Sequence, residues 1–306
     1  MLSEELMQKV RQLQILTARM VSEVFSGEYS SAFRGRGMEF DEVREYQPGD
    51  DIRTIDWNVT ARSGVPHVKR FIEERELTIL FAVDMSSSGQ FGSVERLKNE
   101  TAAELCAVLA FAATRNNDKV GLLLFTDRVE LFIPPKKGTR HVLRLIRELL
   151  SFEVDRSRRH GTDITFALEH LARLLKRRSV IFLVSDFLVK DMVAPTASDR
   201  PAELETAIRL TNRRHDLVSI AIEDPREIEL PRMGLVELED AETGARSVID
   251  TSSRRVRHAW RERAQRHRDR LAQVMRRSGC DFVTVRTGEP YIHTLIELFR
   301  RREHRR

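Results

Sequence analysis

The sequence Leu-Thr-Ile-Leu-Phe-Ala-Val-Asp-Met-Ser-Ser-Ser occupies residues 77–88 and joins an apolar run to a cluster of oxygen-bearing side chains. The apolar part is too short for a helix and is rich in strand-forming residues, which predicts a buried strand. Asp84 then lies at the carboxyl end of that strand, and Ser86 and Ser88 follow it at alternate positions. Because open α/β sheets bind their ligands at such strand ends, this stretch predicts a divalent-metal site.

Strand and helix patterns alternate along the rest of the chain. Further apolar runs with the composition of buried strands occur at residues 119–125, 179–185, 217–222 and 282–285. Segments with helical spacing of apolar residues separate them, so the alternation predicts an α/β protein with a Rossmann-like, doubly wound, mostly parallel sheet. We assign residues 1–75 to an N-terminal helical and irregular extension and residues 76–306 to the domain that contains the sheet.

The extension has three recognisable parts. Apolar spacing predicts a helix over residues 3–25, and glycine and serine residues predict a loop over residues 26–37. From residue 38 to residue 62, charges of both signs alternate around a Pro-Gly-Asp turn, which predicts fixed ion pairs. A network that docks the extension on the main domain is the favoured interpretation of this segment, and a binding surface is the alternative.

Composition and charge narrow the function classes. The chain has 306 residues and a hydrophobic content of 41%, enough for a proper core. No apolar run approaches the roughly 20 residues that cross a bilayer, and no signal-peptide pattern is present, so we expect a cytoplasmic protein without membrane insertion. Residues 254–306 contain 16 arginines against 6 acidic residues. An apolar stripe on this basic segment favours a solvated helix over nucleic-acid binding, and we expect no nucleic-acid partner.

Two further oxygen ligands come from distant positions in the chain. Asp186 follows another apolar run, and Thr162 lies in a Gly-Thr-Asp loop before a predicted helix. With Asp84, Ser86 and Ser88 they supply five side chains for a hard cation such as Mg²⁺, with Mn²⁺ and Ca²⁺ as alternatives. Each residue also has a structural interpretation. The aspartates and serines can hydrogen-bond turn backbone, and Thr162 can cap the helix that follows it.

These motifs resemble those of known families. Asp-x-Ser-x-Ser at residues 84–88, Thr162 in Gly-Thr-Asp and Asp186 in Val-Ser-Asp-Phe resemble the metal-ion-dependent adhesion site (MIDAS) of von Willebrand factor type A (vWA) domains. Residues 44–50 and 51–57, Arg-Glu-Tyr-Gln-Pro-Gly-Asp and Asp-Ile-Arg-Thr-Ile-Asp-Trp, resemble the signature of the bacterial domain-of-unknown-function 58 (DUF58) family, which ends in such a domain. The resemblance implies a vWA-like sheet, a bound Mg²⁺ or similar ion, and pairing with a MoxR-type AAA+ ATPase.

Two functions of different classes fit these features. The first is a non-enzymatic recognition module, in which an ion held by only two carboxylates stays electrophilic and captures an acidic side chain of a protein partner. Such a module would be an adaptor or co-chaperone that works with a MoxR-type AAA+ ATPase.

The alternative is a Mg²⁺-dependent phosphoryl-transfer or hydrolytic enzyme with Asp84 as its nucleophile. That enzyme would need an acid or base beside Asp84, but Ser86 is a poor proton donor at neutral pH. The chain also lacks a phosphate-binding P-loop motif. We therefore expect no enzymatic activity in this chain, and ATP hydrolysis would belong to the partner.

Overall fold

The structure is a computed structural model, and it describes residues 4–21, 23–33, 38–73, 76–93, 97–152, 161–189, 203–241 and 244–305. The chain divides into two compact units. The first comprises Met1–Ala32 and Thr78–Arg306, and the second comprises Phe33–Leu77. This division groups the N-terminal helices with the sheet, whereas the sequence analysis placed them in the extension. The predicted boundary after residue 75 stays a prediction.

The elements follow one another in an alternating order. The strands are β1 (Met38–Glu45), β2 (His67–Glu73), β3 (Thr78–Asp84), β4 (Lys119–Phe125), β5 (Val129–Lys136), β6 (Val180–Ser185), β7 (Asp216–Glu223), β8 (Leu235–Glu239), β9 (Arg246–Asp250) and β10 (Asp281–Arg286). The α-helices are α1 (Glu4–Met20), α2 (Glu23–Ala32), α3 (Trp57–Ser63), α4 (Lys98–Arg115), α5 (Thr139–Ser151), α6 (Ile164–Leu174), α7 (Glu203–Arg214), α8 (Pro225–Ile228), α9 (Arg254–Arg277) and α10 (Ile292–Arg305). Among the helices that the structure describes, none combines the length and the apolar character needed to cross a bilayer.

The central sheet has six strands in the order β10-β7-β6-β3-β4-β5. Its neighbouring strands are parallel except for the edge strand β5, which runs antiparallel to β4. The prediction of an α/β protein with a mostly parallel sheet is therefore confirmed. The chain passes from β3 to β4 on one side and later returns to β6 on the other side, so the strand order reverses at β3. In open α/β sheets, ligands bind at the carboxyl ends of strands beside such a reversal.

The core lies on both faces of the central strands. Leu80 and Ala82 of β3 belong to a buried cluster that also includes side chains of α6, α7 and α9. Because successive strand residues point to opposite faces, Phe81 lies on the other face, where its ring stacks on Phe182 with centroids 5.4 Å apart. Side chains on both faces of β3 are thus held by packing, which fixes the position of its carboxyl end.

The N-terminal segment differs from its prediction. The expected helix over residues 3–25 is two helices, and residues 26–32, expected to be loop, belong to α2. The reason is aromatic packing within the first unit, because Phe25 and Tyr29 contact Phe299 of α10 with centroid distances of 5.4 and 5.9 Å. Tyr29 Oη also donates a hydrogen bond of 3.1 Å to Asp118 Oδ2. The loop prediction weighed glycine and serine content and missed this four-residue aromatic spacing.

The second unit is a small hairpin with a helical insertion. Its strands β1 and β2 pair antiparallel, with an irregularity after Phe40. The guanidinium of Arg44 forms two hydrogen bonds with Asp50, of 2.8 and 2.7 Å, so the predicted ion pairing is confirmed at this pair. The pairing lowers the pKa of Asp50. Helix α3 begins after its N-cap Asp56 and ends at Ser63, and its C-cap Gly64 has a φ of 74° that suits glycine.

Candidate metal centre at the carboxyl ends of the central strands

Asp84 and Asp186 lie at the ends of two adjacent parallel strands. Asp84 is the last residue of β3, and Asp186 directly follows the last residue of β6. Strands β3 and β6 pair in parallel, so their carboxyl ends meet at one edge of the sheet. A single 3-10 turn over Ser87–Gln90 follows β3 and brings Ser86 and Ser88 to the same edge.

The oxygens of this cluster are connected by short hydrogen bonds. Asp84 Oδ1 accepts from the backbone N–H of Ser86 at 2.9 Å, and Asp84 Oδ2 accepts from Ser185 Oγ at 2.6 Å. The hydroxyls of Ser86 and Ser88 lie 3.0 Å apart. After Lys98 and the backbone N–H of Leu188, Ser88 also contributes to lowering the pKa of Asp186 by hydrogen bonding. The structure thus brings together four of the five predicted side chains.

Thr162 is the fifth predicted residue, and it lies beside the neighbouring strand. The backbone N–H of Asp163 donates to the carbonyl of Thr126, the residue that follows β4, at 3.0 Å. Asp163, not Thr162, is the N-cap of α6, because its Oδ1 accepts from the N–H of Phe166 at 2.8 Å. The capping interpretation of Thr162 is therefore wrong, and Thr162 is a half-buried residue of the loop that precedes α6.

The two carboxylates of the cluster have opposite electrostatic environments. Burial, together with the negative charge of Asp186, raises the pKa of Asp84 to about 7. Burial also pushes the pKa of Asp186 upward, but the adjacent Lys98 ammonium outweighs it and holds that pKa below its usual range. Among the residues that the structure describes, no cationic side chain forms an ion pair with Asp84, so this buried carboxylate is the group that a bound cation would neutralise.

Lys98 is a site residue that the sequence analysis missed. Its side chain is 2% exposed, and its Nζ lies 2.6 Å from Asp186 Oδ2 and 2.6 Å from Glu227 Oε1. Burial lowers the pKa of Lys98, but the two carboxylates outweigh it and raise the pKa above its ordinary value. One signal was available in the sequence. A lysine as the first residue of a helix opposes the helix dipole, so its ammonium needs a compensating carboxylate.

Ser185 is a second residue that the sequence analysis missed, and it shapes the turn after β6. Its Oγ donates to Asp84 and accepts from the backbone N–H of Phe187 at 2.9 Å. Phe187 has a positive φ of 55°, and its fully buried ring packs edge-on against Phe282. The next N–H, from Leu188, donates to Asp186 Oδ1 at 3.1 Å. The turn therefore orients Asp186 through a left-handed backbone residue that is not glycine.

The cluster surrounds a small cavity of about 10 Å³, close to the volume that one water molecule requires. Its walls are formed by Asp84, Ser86, Gly89, Lys98, Asn99, Ala102, Val184, Ser185, Asp186 and Ile222. In the part of the chain that the structure describes, no three His, Cys, Asp or Glu side chains form a metal-binding group. An ion at this edge would therefore rely on hydroxyl oxygens beside the two aspartates. Carboxylate and hydroxyl oxygens are the donors that hard divalent cations prefer, so the residues fit such an ion.

Comparisons with solved structures show distant similarities. BatB from Bacteroides thetaiotaomicron is 15% identical over 74% of this chain and 99% of its own, with a TM-score of 0.46. The SpRpn10 VWA domain is 12% identical over 72% of this chain and 93% of its own, with a TM-score of 0.35.

Sequence comparisons place the chain in a family. "Uncharacterized protein Rv1480" of Mycobacterium tuberculosis is 30% identical over 289 residues, which cover 94% of this chain and 86% of the relative. "Uncharacterized protein YeaD" of Bacillus subtilis is 28% identical over 151 residues, which cover 49% of this chain and 35% of the relative. The family profile described as "Protein of unknown function DUF58" matches residues 42–270. The chain therefore belongs to the DUF58 family.

Proposed function

We propose that this protein is a non-enzymatic, metal-ion-dependent recognition module built on a vWA-like, Rossmann-like doubly wound sheet. In this proposal it binds an acidic side chain of a client protein and acts as an adaptor or co-chaperone of a MoxR-type AAA+ ATPase. The observation that carries the proposal is the convergence of Asp84, Ser86, Ser88 and Asp186 at the edge where the strand order reverses. The resemblance to MIDAS motifs supplies the link to recognition.

The residues that would hold Mg²⁺, or Mn²⁺ or Ca²⁺, are Asp84, Ser86, Ser88, Thr162 and Asp186. Once bound, the ion would supply an electrophilic coordination position for a carboxylate of the client. Around this position the chain already contains the carboxylates of Asp84, Asp186 and Glu227 and the ammonium of Lys98. When all four are ionised, three negative charges and one positive charge give a net charge of −2, which a divalent cation balances.

The groups around Asp84 support recognition better than catalysis. Both carboxylate oxygens of Asp84 accept hydrogen bonds, from Ser86 and from Ser185. Lys98 is a basic side chain in the walls of the cavity, and two carboxylates keep its pKa raised, so it is a poor proton acceptor. The arrangement therefore favours holding a ligand over moving protons.

Metal binding is tested by isothermal titration calorimetry of the full chain with MgCl₂ and MnCl₂. The proposal expects saturable binding by the wild type, a loss of at least tenfold in affinity for Asp84→Ala, and a similar loss for the Ser86→Ala, Ser88→Ala double variant. Matched controls are Asp269→Ala and the Ser151→Ala, Ser252→Ala double variant, all at exposed positions. Binding by Asp84→Ala that equals the wild type would end the proposal.

Client recognition is tested by affinity capture in Mg²⁺ and in EDTA, with the same variants and with a MoxR-type ATPase from the source organism added. Clients should be retained only by the wild type and the controls, and only with metal present. A panel of phosphatase substrates separates the alternative function. Turnover that is abolished in Asp84→Ala would favour an enzyme and contradict the adaptor.

A further inference from the structure

A second and larger cavity lies at the carboxyl edge of the central sheet. It has a volume of about 270 Å³ and lies where β7 and β10 end. Glu223 and Arg286, the last residues of these strands, face each other in register, and Arg268 reaches the cavity from α9. The remaining walls are formed by Thr284, Val285, Glu289, Pro290, Tyr291 and Thr294. We call this space the Glu223 cavity.

The polar groups of the Glu223 cavity are incompletely satisfied. Glu223 Oε2 and Arg268 Nε are buried, and neither has a hydrogen-bond partner. Arg268 Nη1 lies 3.9 Å and Arg286 Nε 3.8 Å from Glu223 Oε2, too far for hydrogen bonds. Arg286 Nη1 is also 3.6 Å from Glu289 Oε1. Buried acceptors and donors without partners are rare in folded proteins because each costs free energy, so a polar ligand in this cavity would reduce that cost.

The charges of the cavity select the chemistry of that ligand. A simple anion would approach the two guanidinium groups but would meet the carboxylates of Glu223 and Glu289. A simple cation would meet the opposite conflict with Arg268 and Arg286. A molecule that carries one group of each sign satisfies both sets, since an ammonium donates to Glu223 while a carboxylate accepts from the guanidinium groups.

We propose that the Glu223 cavity binds a small zwitterion of the amino-acid class. Its ammonium pairs with the carboxylate of Glu223, and its carboxylate pairs with the guanidinium groups of Arg268 and Arg286 that line the cavity. The volume supports this size, because it lies just below the range of roughly 300–1,000 Å³ that is typical of drug-sized ligands. The position supports it as well, because parallel strands present their ligand sites at this edge.

The Glu223 cavity is separate from the candidate metal centre. Strand β7 lies next to β6, and β10 lies beyond β7. Neighbouring strands are about 4.8 Å apart, so Glu223 and Arg286 are about one and two strand spacings from Asp186 along the sheet. None of the side chains proposed to hold the ion forms a wall of this cavity. The proposal therefore does not depend on metal binding, and it is tested without metal.

The test begins with thermal unfolding of the full chain in EDTA with each of the twenty proteinogenic L-amino acids. At least one should raise the midpoint temperature, and calorimetry then gives its dissociation constant. Glu223→Gln and Arg286→Gln should each weaken that binding tenfold or more, because each removes a charged hydrogen-bond partner of the ligand. Arg276→Gln, at an exposed position of the same helix as Arg268, should bind as the wild type does.

The design separates loss of binding from loss of folding. The side chain of Glu223 is only 14% exposed, but that of Arg286 is 41% exposed, so Arg286→Gln tests the site even if Glu223→Gln folds poorly. Derivatives of the best ligand that are N-acetylated or amidated at the carboxyl group should bind at least tenfold more weakly. Three results would each overturn the proposal: no stabilisation by any amino acid, binding that Arg286→Gln leaves unchanged, or equal binding of the capped derivatives.

Discussion

Lys98 Nζ lies 2.6 Å from Asp186 Oδ2, and both side chains are almost completely buried, at 2% and 5% exposure. This ion pair joins the beginning of α4 to the end of β6. It also explains why the pKa values of the two aspartates of the candidate metal centre shift in opposite directions. The ammonium of Lys98 lowers the pKa of Asp186, whereas burial raises the pKa of Asp84 and only hydrogen bonds from Ser185 and Ser86 oppose that effect.

Lys98→Met should destabilise the fold strongly. The substitution leaves the buried carboxylate of Asp186 and the partly buried carboxylate of Glu227 without their shared cation, and breaking a buried pair in this way costs about 3–5 kcal/mol. Urea unfolding monitored by circular dichroism measures the change, with Lys176→Met at an exposed position as the control. Adding Glu227→Gln to Lys98→Met should recover part of the loss, and equal stability of the single variant and the wild type would contradict this account.

The pH dependence of stability should carry the signature of Asp84. An unfolded aspartate loses its proton near pH 3.9, whereas folded Asp84 keeps its proton up to about pH 7. Between these values the folded state binds more protons, so the contribution of Asp84 to the free energy of unfolding falls as pH rises. Asp84→Asn has no such titration. In EDTA, its free energy of unfolding should therefore rise relative to that of the wild type as the pH increases from 4 to 7.

The measurement is the free energy of unfolding of both proteins at intervals across that range, so that the other titrating groups cancel in the difference. Adding MgCl₂ at pH 8 should stabilise the wild type more than Asp84→Asn, because the variant lacks one of the two carboxylates proposed to hold the ion. Parallel pH curves for the two proteins would show that Asp84 titrates normally.

Ser185→Ala should weaken the connection between β3 and β6. The substitution removes the donor to Asp84 Oδ2 and the acceptor for the N–H of Phe187, both in buried surroundings. Leaving a buried partner unsatisfied costs about 1–3 kcal/mol, and loss of the donor should raise the pKa of Asp84 further. Denaturant unfolding measures the first effect, and carbon-detected NMR titration of the Asp84 carboxyl measures the second. Ser151→Ala, at an exposed helix end, is the control.

Tyr29→Phe tests the packing of α2. Tyr29 is fully buried, and its hydroxyl donates to Asp118, which is 1% exposed. Removal of this donor should destabilise the protein by about 1–3 kcal/mol while the ring packing on Phe299 persists. Comparison with Tyr29→Leu, which also removes the aromatic contact, separates the two contributions. If Tyr29→Phe has the same free energy of unfolding as the wild type, the hydrogen bond makes no net contribution to stability.

The strands were the part of the fold most readily predicted from sequence. The runs that form β3, β4, β6 and β7 are apolar nearly throughout because both of their faces are buried, and such runs stand out in any sequence. Strand β5 is harder to predict, because it continues through Pro134 and Pro135 to Lys136 and proline usually ends a strand. Prolines are tolerated there because β5 is an edge strand of the sheet.

The candidate site was predicted only in part, because local sequence patterns locate strand ends but not contacts between distant residues. Asp84 and Asp186 stand directly after apolar runs, so local sequence locates them at strand ends. Lys98 and Glu227 contribute through contacts across 88 and 129 positions of the chain, and no local pattern reports such distances. Ser185 precedes Asp186 in the sequence motif, but its hydrogen bond to Asp84 crosses to the neighbouring strand. Only the pairing of β3 with β6 reveals that contact.

Because Phe187 has a left-handed backbone conformation, the orientation of the Asp186 side chain depends on the packing of the neighbouring Phe187 ring. A side chain with a β-carbon is strained in that conformation and stays there only while its surroundings hold it. The ring of Phe187 packs in the core against Phe282 of β10, a strand that lies two positions from β6 in the sheet. Replacement of Phe282 by a smaller residue would let the backbone at Phe187 relax and would shift the carboxylate of Asp186. The orientation of Asp186 therefore depends on a residue that contacts none of the oxygens of the candidate metal centre.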